Sequence, residues 1–153
     1  MDVCEAGNLK AAQYLVEERG AKVNAATGCV ELQISLFGRQ RPTEGKLTPM
    51  FFAARSGNSA LIRYLASKGA FVNAYSNFGA TPLMHAVTAG QAEAVKTLLA
   101  LRADVNAQMN PSLDSVDLRQ IGRFNEVANA YRRAQSLGNP EILDLLVAAG
   151  ARP

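Results

Sequence analysis

Apolar residues recur at helical spacing in two stretches of this chain, and the two stretches resemble each other. Leu61, Ile62 and Leu65 lie three or four positions apart, and Val95 and Leu98 are spaced in the same way. Such spacing predicts an amphipathic helix with one buried face. A shorter apolar run, FFAA in the first stretch and LMHAV in the second, comes before each of them. The pattern therefore predicts two consecutive pairs of helices, each with a short first helix.

The residues between these apolar runs repeat with a period of 33. Thr48–Asn73 reads TPMFFAARSGNSALIRYLASKGAFVN, and Thr81–Asn106 reads TPLMHAVTAGQAEAVKTLLALRADVN. Proline is tolerated in the first turn of a helix, so Thr-Pro marks the start of each first helix. A glycine then ends that helix. A Gly-Ala or Arg-Ala turn closes the second helix, and an extended Val-Asn segment leads to the next unit.

This unit resembles the ankyrin repeat, which has a period of 33 and a T-P-L-H-x-A start. The tetratricopeptide repeat has a near-identical period, but its signature residues are absent. Partial copies at 7–24 and 138–151 extend the resemblance to roughly two thirds of the chain. The resemblance implies an all-α ankyrin-repeat solenoid of about four helix-turn-helix repeats, as in small stand-alone ankyrin-repeat proteins of bacteria.

Two insertions interrupt the period, one of 16 residues between repeats 1 and 2 and one of 15 residues before repeat 4. We expect a single domain over 1–153. Its repeats are expected at approximately 1–24, 46–73, 79–106 and 123–153, and its insertions at approximately 26–45 and 108–122. Because no Thr-Pro precedes repeat 4, its first helix is expected to begin early, near Arg123.

The first insertion has two dissimilar halves. Apolar residues alternate with polar ones from Val30 to Leu36, which favours a strand-like segment with one apolar face. Phe37, Arg39 and Arg41 then follow at an expected tip. The segment is interpreted either as a connector that packs on repeat 1 or as a finger that carries the tip to a partner. The two interpretations are compatible, since the strand can pack while the tip is exposed.

The second insertion and the start of repeat 4 are rich in arginine. Arg119, Arg123, Arg132 and Arg133 give this half of the chain a basic character, and a short helix is expected before Gly122. These arginines are interpreted either as solvated helix faces or as a surface that attracts acidic groups.

The overall composition is that of a folded protein. The chain has 153 residues, of which 48% are hydrophobic and 19% charged, and no apolar run has the length of a membrane-spanning helix. The N-terminus has no basic head and no apolar core, so no signal peptide is visible. The first repeat is nevertheless short, which indicates a cleaved signal peptide or a trimmed chain end.

Motifs of the common enzyme classes are missing from the sequence. It has no G-x-x-x-x-G-K-[ST], H-E-x-x-H or G-x-S-x-G. One histidine and two cysteines cannot complete a structural zinc site. We therefore expect no enzymatic activity, no metal and no cofactor.

The two cysteines leave the compartment open. A Cys4–Cys29 disulfide would indicate a periplasmic or secreted protein, whereas two free thiols, the default expectation, fit the cytoplasm.

The net charge of +3 favours acidic partners, and eleven of the 16 basic residues are arginines, which suit carboxylates. Nucleic acid is not the expected partner, because aromatic residues do not interleave with the basic ones.

The resemblance implies that partners bind the concave surface formed by the first helices and the turns. Aromatic residues and arginines are typical anchors of protein interfaces. The residues expected to bind a partner are Phe52, Arg55, Tyr75, Asn77, Phe78, His85 and Arg133, together with Phe37, Arg39 and Arg41 of the first insertion. In the ankyrin pattern the position of His85 tends to face the groove, although it also fits a helix residue with no special role.

These expectations lead to a non-enzymatic protein-interaction module, monomeric alone, with one protein partner. The hypothesis is a dedicated binder that masks and inhibits an enzyme with an acidic or carboxylate-bearing surface, such as a bacterial hydrolase or peptidase. The alternative is a general scaffold or a host-directed effector. An enzyme or a nucleic-acid binder is less favoured.

Overall fold

The computed structural model describes residues 9–27, 46–109 and 129–152. Within these ranges every regular element is a helix, which confirms the predicted fold class. The helices are α1 Leu9–Glu17, α2 Pro49–Arg55, α3 Ser59–Ser67, α4 Pro82–Thr88, α5 Ala92–Ala100, α6 Ala130–Leu137 and α7 Pro140–Ala148. In the part of the chain that the structure describes, no helix has the length and apolar character needed to cross a membrane.

The helices form two parallel rows. The short first helices α2, α4 and α6 stack on one another, and the second helices α1, α3, α5 and α7 stack behind them. One continuous core runs between the rows, as expected for a solenoid in which each repeat contacts only its neighbours. Its largest fully buried side chains are Met50, Phe51, Leu61, Ile62, Leu65, Leu83, Met84, Leu98, Ile142 and Leu146.

Polar side chains cap four of the helices. Thr81, Asn129, Asn58 and Asn139 each accept a hydrogen bond from a backbone N–H in the first turn of the helix that follows them. Such a bond satisfies one of the N–H groups that a helix start leaves without a partner inside the helix.

The cap at Asn129 corrects one expectation from the sequence. Asn129 lies nine residues before Gly138, just as Thr81 lies nine residues before Gly90, so it takes the place of the missing Thr-Pro threonine. Its backbone is extended, and α6 begins at Ala130. The prediction of a first helix that starts near Arg123 is therefore wrong.

An asparagine ladder joins successive repeats. Asn24, Asn73 and Asn106 each donate to a backbone carbonyl and accept from a backbone N–H in the turn that ends the second helix of the next repeat. The partners are Gly69 O and Phe71 N for Asn24, Arg102 O and Asp104 N for Asn73, and Gly150 O and Arg152 N for Asn106. The hydrogen bond from the side-chain amide to the carbonyl spans 45 residues for Asn24, 29 for Asn73 and 44 for Asn106. The first and last spans exceed 29 by 16 and 15, the lengths of the two insertions, so the insertions leave the stacking register unchanged.

The turn of repeat 3 shows where the first insertion enters. Ser76 accepts from Gly79 N at 3.0 Å, and its own N–H donates to Ala80 O at 2.9 Å. Its side-chain oxygen also accepts from Ala80 N at 3.2 Å. These three bonds close a turn whose tip consists of Asn77 and Phe78.

The same three bonds are present at the start of repeat 2. Thr27 replaces Ser76, Lys46 replaces Gly79 and Leu47 replaces Ala80, with distances of 3.0, 2.9 and 3.1 Å. Lys46 even has the positive φ of Gly79, 59° against 75°. The first insertion therefore replaces the two-residue tip of a closed turn with residues 28–45. We call the row of turns that carries Thr27, Ser76 and Met109 the turn edge. Met109 lies 33 positions after Ser76.

Charged and phenolic groups link the second helices of repeats 1 and 2. The Oε1 of Glu17 lies 3.1 Å from the Nζ of Lys68 and accepts a hydrogen bond of 3.2 Å from the Tyr64 hydroxyl. The bond from Lys68 lowers the pKa of Glu17, and the bond from Tyr64 lowers it further. In return the carboxylate raises the pKa of Lys68. All three groups lie in the row of second helices.

Candidate functional site

A pocket of about 380 Å³ opens among the first helices of repeats 2, 3 and 4 and the turn of repeat 3. Its lining residues come from all three repeats, so it forms only when the repeats stack. They are Arg55, Phe78, Ala80, His85, Thr88, Ala89, Met109 and Arg133. We call this cavity the groove pocket.

Arg133 is held in place by a chain of polar contacts. Its Nη1 donates a hydrogen bond of 2.7 Å to the Thr88 hydroxyl, which in turn donates to the Met84 carbonyl at 2.7 Å. Its Nη2 lies 3.8 Å from the sulfur of Met109. Because α6 supplies the guanidinium and α4 supplies the acceptor, the wall of the pocket is fixed by the packing of repeats 3 and 4.

Aromatic rings position the polar residues on the repeat 2 side. The guanidinium carbon of Arg55 lies 5.3 Å from the centroid of the Phe52 ring, within the range of a cation–π interaction. The His85 imidazole and the buried Phe51 ring make a T-shaped contact, with ring centroids 5.1 Å apart and an interplanar angle of 84°. Both contacts restrict the freedom of a side chain that lines the pocket, and this lowers the entropy cost of binding.

The structure brings together four of the residues that the sequence nominates. Arg55, Phe78, His85 and Arg133 all line the groove pocket, although they come from three different repeats. Tyr75 is 50% exposed and lies on the turn edge without lining the pocket.

Two of the nominated residues are not displayed as expected. Asn77 is only 4% exposed, and its neighbours in the turn, Ser76 and Ala80, are buried as well. Phe52 is 8% exposed and reaches the groove through its contact with the Arg55 guanidinium. The expected display of Asn77 at the turn is therefore wrong, and partner binding by either residue stays a prediction.

Four residues of the pocket are not among those nominated from the sequence, namely Ala80, Thr88, Ala89 and Met109. The period contained a signal for Met109, since its position 33 residues after Ser76 places it on a turn. The link between Arg133 and Thr88 had no such signal, because the two residues are 45 positions apart across an insertion.

Several nominated residues lie outside the described ranges. They are Phe37, Arg39 and Arg41 of the first insertion and the two cysteines, Cys4 and Cys29. The alternating segment from Val30 to Leu36, the arginines at 119 and 123, and the short helix before Gly122 lie there too. Among the described residues, no group of three or more His, Cys, Asp or Glu side chains could hold a metal ion.

The chemistry of the groove pocket is cationic and apolar. It contains two guanidiniums together with one imidazole and one hydroxyl. Phe78, Ala80, Ala89 and Met109 supply apolar surface, and the described lining includes no carboxylate. Such a surface is suited to binding an anionic group that carries an apolar neighbour.

Comparison with known proteins identifies related sequences. A family model described as ankyrin repeats, built from three copies, matches residues 25–109. An ankyrin repeat protein of Rickettsia felis is 33% identical over 147 residues, which is 94% of this chain and 54% of that protein. The zebrafish (Danio rerio) ankyrin repeat and SAM domain-containing protein 6 is 39% identical over 72 residues, which is 46% of this chain and 10% of that protein. The chain thus spans about half of the rickettsial relative and a tenth of the zebrafish one.

Proposed function

Because the chain belongs to the ankyrin-repeat family, whose repeats generally mediate binding to protein partners, we propose that it binds one protein partner through the groove pocket and the turn edge. The observation that carries this proposal is the pocket itself. Three repeats contribute two arginines, an aromatic ring, an imidazole and a thioether to one concavity. Arginines and aromatic residues dominate the binding energy of protein interfaces.

The turn edge supports a large contact surface. Tyr75 is half exposed there, and the first insertion leaves and rejoins the array at the same edge, at Thr27 and Lys46. A partner in the groove therefore lies beside the two points at which residues 28–45 join the array. These residues include Phe37, Arg39 and Arg41. We propose that these three residues contribute to the same interface. Insertions in repeat arrays often map to the binding face.

The finer proposal is that the chain masks and inhibits a partner enzyme, with a bacterial hydrolase or peptidase as the expected target. Two insertions that interrupt the array fit one shaped partner better than a general scaffold. A complex of this kind blocks an active site simply by covering it, so the binder needs no chemistry of its own.

Affinity capture from the source organism, followed by mass spectrometry, tests the proposal. The bait is the whole chain, with a Tyr75→Ser, Phe78→Ser variant as the matched control. We expect one dominant protein that the variant fails to retain. Equal retention by the variant would contradict the groove as the binding surface.

Titration of the captured protein then separates inhibition from tethering. If the captured protein is a hydrolase or peptidase, its activity is expected to fall to a minimum at one equivalent of the chain. Unchanged activity, or many unrelated captured proteins, would favour the scaffold or effector alternative. Turnover by the isolated chain that Cys29→Ala or His85→Ala abolishes would favour an enzyme. Steeply salt-dependent retention on a DNA or RNA column would favour nucleic-acid binding.

A further inference from the structure

We infer that the groove pocket takes an acidic side chain of the partner, a glutamate or aspartate within a continuous segment and next to an apolar residue. This inference rests on the proposed function, because it states which chemical group of the partner enters the pocket. The evidence is the charge of the lining, its division into cationic and apolar parts, and the exposed positions that flank the pocket in the neighbouring repeats.

The two guanidiniums approach the pocket from opposite repeats. Arg55 extends from the last turn of α2, and Arg133 extends from α6 and is oriented by Thr88. A guanidinium presents several N–H donors in one plane, a geometry that matches the two oxygens of a carboxylate. Because Phe52 and Thr88 already hold the two side chains, little further ordering is needed to bind an anion.

The apolar part of the lining indicates that the bound group includes an apolar side chain as well as a carboxylate. Phe78, Ala80, Ala89 and Met109 account for half of the lining residues. A cavity of about 380 Å³ is also larger than a single carboxylate group requires. An acidic side chain together with an adjacent apolar one would satisfy both parts of the surface.

The surroundings of Ala89 favour an internal segment of the partner rather than the end of a partner chain. Ser56 and Leu137 occupy the positions of Ala89 in the neighbouring repeats, since each comes directly before the glycine that follows the first helix. Ser56 is exposed, and Leu137 is 52% exposed. Exposed positions therefore flank Ala89 in both neighbouring repeats, which favours a partner segment that runs on past the pocket.

Three capped peptides test the inference in a nitrogen–proton NMR titration of the whole chain. They are acetyl-Leu-Glu-Leu-amide, acetyl-Leu-Gln-Leu-amide, and acetyl-Leu-Gln-Leu with a free C-terminal carboxylate. We expect the glutamate peptide to bind with a Kd of about 1–10 mM and about tenfold more tightly than the glutamine amide. The shifted signals are expected at Thr88, Ala89 and Arg133.

Three single-site variants identify the groups that recognise the carboxylate. Arg55→Gln and Arg133→Gln are each expected to abolish most of the preference for glutamate. Arg63→Gln, which removes the same charge from an exposed position on α3, should preserve it. Arg55 is exposed, so Arg55→Gln should fold even if Arg133→Gln does not, and a melting curve checks both.

Several outcomes would overturn the inference. Equal binding of the glutamate and glutamine amides would remove the role of the carboxylate, and so would the absence of shifts at about 10 mM peptide. If the peptide with the free C-terminal carboxylate bound most tightly, the group that enters the pocket would be the C-terminus of a partner and not an acidic side chain. If Arg63→Gln lost the preference for the glutamate peptide to the same extent, the preference would reflect the net charge of the chain and not recognition by Arg55 and Arg133.

Capture of the native partner by the same variants distinguishes this failure from failure of the proposed function. If Arg55→Gln and Arg133→Gln capture the partner as well as the unmodified chain does, while Tyr75→Ser, Phe78→Ser does not, the acidic-side-chain inference fails and the proposed function stands. If the unmodified chain captures no partner, the proposed function fails by itself.

Discussion

The Nη1 of Arg133 donates a hydrogen bond of 2.7 Å to the Oγ1 of Thr88, across 45 residues of sequence and between two adjacent repeats. The bond joins α6 to α4 at the wall of the groove pocket. It therefore ties the stacking of repeat 4 to the shape of the candidate binding site.

A double-mutant cycle on this pair measures the coupling between the two repeats. Thr88→Val removes the acceptor and Arg133→Gln removes the charged donor. We expect a coupling free energy of about 1 kcal/mol, below the usual range for a hydrogen bond to a charged group, because Thr88 is exposed. Urea unfolding of the four proteins gives the value. A cycle between Thr88→Val and Arg132→Gln, at the neighbouring exposed arginine, should show no coupling.

The asparagine ladder predicts a local loss of protection at one amide. Asn73→Ala removes the acceptor of the Asp104 N–H and the donor to the Arg102 carbonyl, so we expect a cost of about 1–2 kcal/mol. Hydrogen exchange should accelerate at Asp104 before it does in the core. Gln135→Ala, at an exposed helix position, is the control and should change stability by less than about 0.5 kcal/mol. A uniform rise in exchange across the chain would argue against a local bond.

Two glycines with the same backbone conformation should differ in their tolerance of alanine. Gly57 and Gly90 have φ values of +75° and +68°, so each substitution carries the usual penalty of about 1 kcal/mol. At Gly57 an added Cβ also comes within 2.8 Å of the Gln91 Cδ, whereas at Gly90 it meets nothing within 4 Å. Gly57→Ala should therefore lower the melting temperature more than Gly90→Ala does.

Trimming Gln91 tests this explanation. The contact is with a flexible side chain, so Gln91→Ala combined with Gly57→Ala should restore the melting temperature to that of Gly90→Ala. A double variant as unstable as Gly57→Ala alone would assign the cost to the backbone.

The Glu17 cluster predicts a pH dependence of stability. The hydrogen bond from Lys68, followed by that from Tyr64, lowers the pKa of Glu17 in the folded state. The stabilisation is therefore present above the unfolded-state pKa and is lost as the pH falls through the lowered folded-state pKa. Glu17→Gln should reduce the melting temperature at neutral pH and have little effect in strong acid. Glu18→Gln, at an exposed neighbouring position, removes the same charge and is the matched control.

The first insertion should be replaceable by a two-residue tip. A chain with Asn-Phe in place of residues 28–45, and Gly in place of Lys46, recreates the turn of repeat 3 and its three backbone bonds. Loop closure costs about 0.6 kcal/mol for each doubling of length, so a shorter loop favours folding by roughly 2 kcal/mol. We expect an unchanged or higher melting temperature.

Partner capture by this shortened chain tests the role of the insertion. We expect weaker capture, and the smaller deletion of Phe37 to Arg41 should weaken capture while leaving the fold intact. An unfolded product in either case would make the segment structural and would contradict its proposed role in binding.

The array itself could be predicted from its period, because glycines and caps recur where the backbone needs them. Gly57, Gly90 and Gly138 all have positive φ at the ends of first helices. The start of α6 could not be predicted, because Asn129-Ala130 performs the capping role of Thr-Pro with different residues. Cap chemistry is shared by several residue types, so a motif search finds only some of the caps.

The candidate site could be predicted only in part. Positions that face the groove follow the period, so the groove location of Arg55, His85 and Arg133 could be predicted from the sequence. The burial of Asn77 depends on how the turns pack against one another, and turn residues have similar sequence patterns whether buried or exposed. The orientation of Arg133 by Thr88 depends on a contact across an insertion, which no local pattern encodes.

The closed turn at Thr27 also has an evolutionary consequence. The chain leaves and rejoins the array through the same three bonds that close an uninterrupted turn, so we expect mutations in residues 28–45 to change neither the repeat register nor the ladder that joins the repeats. Selection can therefore act on this segment and on the solenoid separately. Under the proposed binding function, a lineage whose partner changes can replace residues 28–45 while it inherits the array intact.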